Sequence, residues 1–293
     1  MSTDTATKAT AKPGTAAKSG GLATKTLVLT GLTIFTGLVL APFLVVLLNA
    51  FKSSEDYSQG GPLSLPSSIY LQGMIDFWNR VEFGEKLWNS FLIAFSVAVL
   101  AVIVSVLNAY AIGIGRLRGR TAFLMFFLLA NLLPQEALVY PLYYLSKQFD
   151  LYNTRLVVII IFLTAIQAAF GTYLLSSVFR EFPPSLLEAA SLDGAGKLRT
   201  LISVVVPTSW PTLSVLFTFF FIWTWNEFFL PLIFLIDNDI QTVPLALAVL
   251  QGQRQVDITT TAASALLGIV PAVVFFLFFQ RTLTRGVMSG AVK

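Results

Sequence analysis

Two glutamates sit deep inside apolar stretches of this chain: Glu136 in NLLPQEALVYP and Glu227 in WTWNEFFLP. Asn131, Gln135 and Asn226 stand near them, Pro134 and Pro141 can break the helix around Glu136 and free carbonyls towards a cavity, and Gln167 interrupts a third apolar run. Carboxylates and amides so placed can hydrogen-bond a hydroxyl-rich solute, hold a cation or relay a proton. Trp223 and Trp225 add aromatic faces suited to the C–H side of such a solute. The same polar groups could instead tie helices together or mark the membrane interface. Little other chemistry is open. Histidine and cysteine are absent, which removes the commonest general base, thiol catalysis, disulfides and the usual metal-ligand sets. No catalytic residue and no metal ligand is expected. DGAGKL is not a phosphate loop, because Ser191 occupies the place of the first glycine and Leu198 follows Lys197. GIGRLRG fails the dinucleotide spacing, with Gly119 one residue late.

The elements that position these residues must be membrane helices. The chain is 56% hydrophobic and 12% charged, against about 25% charged for a soluble domain, and its mean hydropathy is +0.78. Six apolar runs reach spanning length: Leu27–Ala50, Trp88–Gly115, Thr121–Tyr144, Arg155–Val178, Pro207–Leu235 and Thr261–Gln280. No strand alternation competes with them. Residues 1–26 are rich in Ala, Thr, Ser, Lys and Gly and read as a disordered tail. Residues 27–293 form the membrane domain. Thirteen of the nineteen bases fall on one side if the N-terminus is cytoplasmic, among them Lys8, Lys12, Lys18, Lys25, Arg116 and Lys293; the outer side then holds Lys52, Arg80, Lys86, Lys147, Arg155 and Arg254. The positive-inside rule therefore predicts that both termini are cytoplasmic. The outer segments carry acids, Asp237, Asp239 and Asp257 among them, which suit either a docked partner or ordinary solvation.

That orientation puts a polar insert, EAASLDGAGKLRTLISVVVP (188–207), on the cytoplasmic side. Pro183 and Pro184 suit the first turn of a helix, where no N–H is required. Ser185 to Asp193 contains no breaker, and Gly194 stands where a helix-ending residue needs positive φ. A second helical run, Lys197 to Val206, leads to Pro207. The result is a short knob that carries Glu188, with Ala189 and Ala190 small enough for another surface to approach closely. Physics alone leaves open whether it is a docking knob or a connector.

Glu188-Ala189-Ala190, followed by Asp193-Gly194-Ala195 and closed by Pro207, resembles the EAA motif of integral membrane subunits of ABC importers. Leu201 departs from the phenylalanine usual there but stays apolar. NAFKSSEDY, LLPQEALVYPLYYL, WNEFFLPLIFL and GVMSGAVK widen the resemblance across residues 25–293. It points to the carbohydrate-uptake branch and its six-span, maltose-type permease subunits.

The resemblance implies an all-α membrane protein with the type I ABC importer permease fold. Loop 179–206 would be the coupling loop, with Glu188, Ala189, Ala190, Asp193, Gly194 and Ala195 meeting an ATPase subunit. Ser289, Gly290 and Ala291 would reach the same ATPase. Asn131, Gln135, Glu136, Gln167, Asn226 and Glu227 are the candidates for the substrate path. ATP and Mg would belong to the partner ATPase dimer, with no cofactor on this chain. A second permease subunit and an extracytoplasmic sugar-binding protein would complete the assembly in a bacterial-type cell membrane. Lipid is the surrounding solvent, and nothing points to nucleic acid. The alternative is a secondary transporter or channel that uses Glu136 and Glu227 as ion sites.

Overall fold

A computed structural model describes residues 20–115, 117–251 and 257–291, all helices and short connections. Residues 1–19, with most of the expected tail, and Arg116, Arg254 and Lys293 of the charge count lie outside the described residues.

The helices in chain order are α1 Gly20–Ala50, α2 Ser54–Gly60, α3 Gln72–Arg80, α4 Phe83–Ala109, α5 Arg120–Leu132, α6 Gln135–Gln148, α7 Arg155–Ile161, α8 Ala168–Arg180, α9 Pro184–Leu192, α10 Lys197–Thr200, α11 Val206–Thr208, α12 Trp210–Asn226, α13 Phe229–Phe234, α14 Val243–Gln251 and α15 Ile258–Ala291. Wider π turns at Tyr110–Ile114, Phe162–Gln167 and Leu201–Val205 prolong α4, join α7 to α8 and join α10 to α11. Among the described residues four helices are long and apolar enough to cross a membrane: Thr24–Ala50, Phe83–Ile114, Arg155–Arg180 and Ile258–Gln280. Two bent pairs raise the number to six if each is one span.

Two of the six apolar runs are bent. The run 121–144 breaks at Leu133–Pro134, where α6 bends away from α5 by 95°. Pro134 cannot donate an N–H and holds its neighbour extended. Pro141, the other expected breaker, lies inside α6 without ending it. The run 207–235 does not begin at Pro207: residues 197–208 form one helical segment that turns by 79° at Ser209 into α12. Val206 N–H reaches back five residues to Leu201 O, and Pro207 follows that widened turn. A further break at Glu227–Phe228 separates α12 from α13. The first helix begins at Gly20, seven residues before the expected Leu27.

The core forms around α4, which packs against α8 and α12. Ala94, Ala98, Ala101, Ser105 and Ala109 are buried along one face of α4. Small residues at this spacing let helix backbones approach closely where lipid offers no hydrophobic drive. Gly171 of α8 uses that approach: a Cβ there would collide with Ser105 Oγ and lie 2.9 Å from Phe220 Cζ. Phe179, Phe220 and Phe221 fill the space between helices. Helix α1 packs its end, at Ala50, on Ala262 and Ala263 of α15 and is exposed along most of its length.

Candidate functional site

The first site is the polar loop. Pro183 precedes α9 and Pro184 occupies its first turn. Gly194 has φ +72°. Gly194 N–H donates to Ser191 O at 3.1 Å and Ala195 N–H to Ala190 O at 2.9 Å. These two bonds are the Schellman closure, which satisfies carbonyls that a helix end leaves open. Thr200 Oγ1 donates to Gly196 O at 3.2 Å, so the start of the next helix is fixed as well. The loop is therefore an ordered helix-turn-helix.

One face of α9 rests on the bundle and the other is free. Ala190 is 7% exposed, and Leu187 is half-buried against the core. This corrects the expectation that Ala189 and Ala190 both lie open to another surface: only Ala189 does. Glu188 and Asp193 are exposed. Leu192, one turn beyond Glu188, is 89% exposed. The sequence reading passed over this leucine as a docking feature, although its place in a polar loop was a signal. The free face thus pairs a carboxylate with an apolar side chain, and a cleft with an apolar floor and a base at its edge would complement it.

The second site lies at the two helix breaks. Asn131 is the penultimate residue of α5, and its Nδ2 donates to Phe127 O at 3.0 Å. Asn226 ends α12, and its Nδ2 donates to Ile222 O at 2.8 Å. Each amide folds back onto the carbonyl four residues before it and keeps its own oxygen as an acceptor. A cavity of about 190 Å³ is lined by Asn131, Gln135, Ile166, Trp223 and Leu230, among others. A neighbouring hollow of about 340 Å³ is lined by Phe219, Ile222, Trp223, Asn226 and Glu227. Trp223 borders both, so one indole adjoins the cavity with Asn131 and Gln135 and the hollow with Asn226 and Glu227.

Glu227 is partly committed, since its Oε1 accepts the N–H groups of Phe229 at 3.0 Å and Leu230 at 3.4 Å. A carboxylate at a helix start is well placed electrostatically. Glu136 is exposed in the first turn of α6 and lines neither hollow. Gln167 lines neither. It is fully buried, and its Nε2 donates to Thr224 Oγ1 at 2.6 Å and Phe220 O at 3.3 Å. Its geometry is that of a tie between the π turn and α12. Its Oε1 has no partner among the described residues.

At the opposite end of the bundle from α9, loop 236–243 is pinned through its backbone. Lys86 Nζ donates to Asn238 O, and Asn89 Nδ2 to Asp239 O at 2.7 Å and Gln241 O at 3.0 Å. Asn153 Oδ1 accepts the N–H groups of Ile236 and Asp237 at 2.8 and 3.0 Å. The carboxylates of Asp237 and Asp239 are left exposed. Nearby, Asp257 accepts hydrogen bonds from Thr259, Thr260 and Ser54. Burial pushes its carboxyl upward, but the hydrogen bonds from Thr259, Ser54 and Thr260 outweigh burial and hold it below the ordinary aspartate value. Ser289, Gly290 and Ala291 lie on the last turn of α15, far along the chain from either site. Among the described residues no group of three His, Cys, Asp or Glu could hold a metal.

Comparison with known proteins gives this geometry a context. Residues 114–288 match the family described as binding-protein-dependent transport system inner membrane component. The chain is 30% identical over 263 residues to the trehalose transport system permease protein SugB of Mycobacterium tuberculosis (strain CDC 1551 / Oshkosh), covering 89% of this chain and 95% of that protein. It is 29% identical over 253 residues to the melibiose/raffinose/stachyose import permease protein MelC of Bacillus subtilis (strain 168), covering 86% and 91%. The fold resembles a chain from a bacterial ABC transporter involved in the import of the acidic polysaccharide alginate, with a TM-score of 0.70 at 22% identity, covering 92% of this chain and 99% of that one.

Proposed function

Because the chain belongs to the binding-protein-dependent transport system inner membrane components, the permease subunits of ABC importers, we propose that it moves a saccharide inward through a pathway shared with a second permease subunit. The observation that carries this reading is the ordered, half-exposed helix α9, closed at Gly194 and presenting Glu188 and Leu192. A rigid knob transmits displacement, where a flexible loop would absorb it. An ATPase dimer supplies ATP and Mg chemistry on its own chains, and its closure reaches the spans through loop 179–206. Ser289, Gly290 and Ala291 extend the contact with that ATPase. Both bent pairs act as single spans, which makes six, with both termini cytoplasmic. Residues 27–293 are the permease domain, and residues 1–26 stand outside it in function. Asn131, Gln135, Glu136, Asn226 and Glu227 offer hydrogen bonds to sugar hydroxyls along the path. The saccharide class comes to this chain from SugB and MelC. The exposed carboxylates of Asp237 and Asp239 face an extracytoplasmic binding protein.

The ion-site alternative finds no support. Glu227 spends one oxygen on the α13 backbone, and Glu136 lies outside both hollows beside Trp223. Vesicles holding this chain with its second permease, ATPase and binding protein should accumulate labelled disaccharide only with internal ATP. Uptake by this chain reconstituted alone would overturn the proposal.

A further inference from the structure

Helix α6 presents two distinct faces, and the cavity accounts for only one. Gln135, Leu138 and Leu142 line the hollow beside Trp223. Glu136, Tyr140 and Tyr144 follow one another at four-residue steps on a different face, the spacing that aligns side chains along a helix. All three are exposed, the two tyrosines by 70% and 58%. Their rings meet edge to face at 4.8 Å between centroids, and Tyr140 Oη donates to Tyr144 Oη at 3.2 Å. Tyr143 and Lys147 bridge from this stripe towards Tyr152: the Tyr143 ring lies 6.1 Å from that of Tyr144 and 5.0 Å from that of Tyr152, and Lys147 Nζ lies 3.9 Å from the Tyr152 ring centroid.

A lipid-facing surface does not suit this stripe. Within the spans a carboxylate is expensive against acyl chains and lies where water or a partner group can reach it. The two hydroxyls also require polar company beyond each other. The stripe begins one residue past Gln135 at the α5–α6 break, so it continues from the cavity. From Glu136 to Tyr144 it runs about 12 Å along the helix, longer than one sugar ring. Flat, amphipathic rings with hydroxyls at one edge, next to a carboxylate acceptor, match a pyranose in chemistry. Its C–H face lies on the rings and its hydroxyls bond the Oη atoms and the carboxylate.

We infer that Glu136, Tyr140 and Tyr144 form a saccharide-binding track on the exposed face of α6, leading to the Asn131–Gln135 cavity. This rests on the proposed saccharide transport. The test uses the full assembly in proteoliposomes, with labelled trehalose and melibiose as probes. The Tyr140→Ala, Tyr144→Ala double variant should lower uptake about tenfold, as expected when ring contacts worth about 1.4 kcal/mol disappear. Tyr140→Phe with Tyr144→Phe keeps the rings and should restore most of the rate. Leu145→Ala, which removes bulk at a neighbouring exposed position, should transport normally. The double alanine variant should still co-purify with its second permease. Undiminished uptake in the double alanine variant would overturn the track alone. So would loss of the second permease from that variant, which would make the stripe a subunit contact. Absence of uptake in the wild-type assembly with either probe would overturn the transport reading, and the track with it.

Discussion

The amide N–H of Ala195 donates to the carbonyl of Ala190 at 2.9 Å, across Gly194 at φ +72°. A Cβ on Gly194 would meet nothing within 4 Å, so Gly194→Ala carries only the backbone cost of the left-handed conformation, about 1–2 kcal/mol. The knob should then dock in an altered pose. We expect the ATPase to stay on the membrane while uptake per ATP falls, with Gly194→Asn milder. Full coupling in the alanine variant would show that the turn geometry is immaterial.

Glu188→Ala should act on affinity instead. The carboxylate is exposed on the free face of α9, and a charge-assisted contact with a base on the ATPase is worth about 1.5–3 kcal/mol. Its loss should weaken docking by about one to two powers of ten, seen as ATPase released from washed membranes. Glu188→Arg with an acid placed on the partner should recover part of the assembly. Retention of both the ATPase and full uptake by the alanine variant would reduce the loop to a connector.

Gln167 should matter for stability and not for substrate choice. Gln167→Leu removes the donor to Thr224 Oγ1 and strands a buried hydroxyl, at a cost of about 1 kcal/mol. Adding Thr224→Val, which leaves no hydroxyl to strand, should return part of the loss in detergent thermal unfolding. A change in sugar preference without a change in stability would place Gln167 on the path after all.

These outcomes bear on what the sequence made legible. The Pro-Pro start and the glycine stop of α9 were readable because each has a local backbone cause. The bend at Pro134 was readable for the same reason. The 79° turn at Ser209 was not, since Pro207 drew the boundary two residues early and no local signal marks the turn. Gln167 looked like Asn131 in sequence, because a helix tie and a cavity lining both place one amide in an apolar run. Only the position of α12 separates them. The inward turn of Ala190 beside the outward Ala189 likewise depends on where the bundle lies.

Asp257 should give an acid-dependent term. Its carboxyl is held below the ordinary value of about 3.9, so the unfolded chain binds more protons between the two values. The stabilisation is present above the ordinary value and is lost as pH falls through the lowered one. Thermal stability should decline more steeply below about pH 4 in the wild type than in Asp257→Asn. Parallel acid limbs would show that the Ser54 and threonine bonds contribute nothing net.

Asp237→Lys with Asp239→Lys should weaken stimulation of ATP hydrolysis by loaded binding protein, because the loop backbone is pinned while both carboxylates stay exposed. The wild-type stimulation should fall as salt screens it, over a Debye length of about 8 Å at physiological strength. Stimulation that ignores both the substitutions and the salt would remove the electrostatic role.

The turn at Ser209 makes residues 197–208 and α12 the two arms of a bell crank. With the arms bent by 79°, a sideways push on the first arm in their common plane turns α12 about Ser209 and gives it little axial push. The second arm has 17 residues, about 25 Å of helix. A tilt of roughly 5° about Ser209 would carry its far end sideways by about 2 Å over that length. That far end holds Trp223 and Asn226, which border the hollows at the helix breaks, so a small rotation at the loop becomes a change in cavity width.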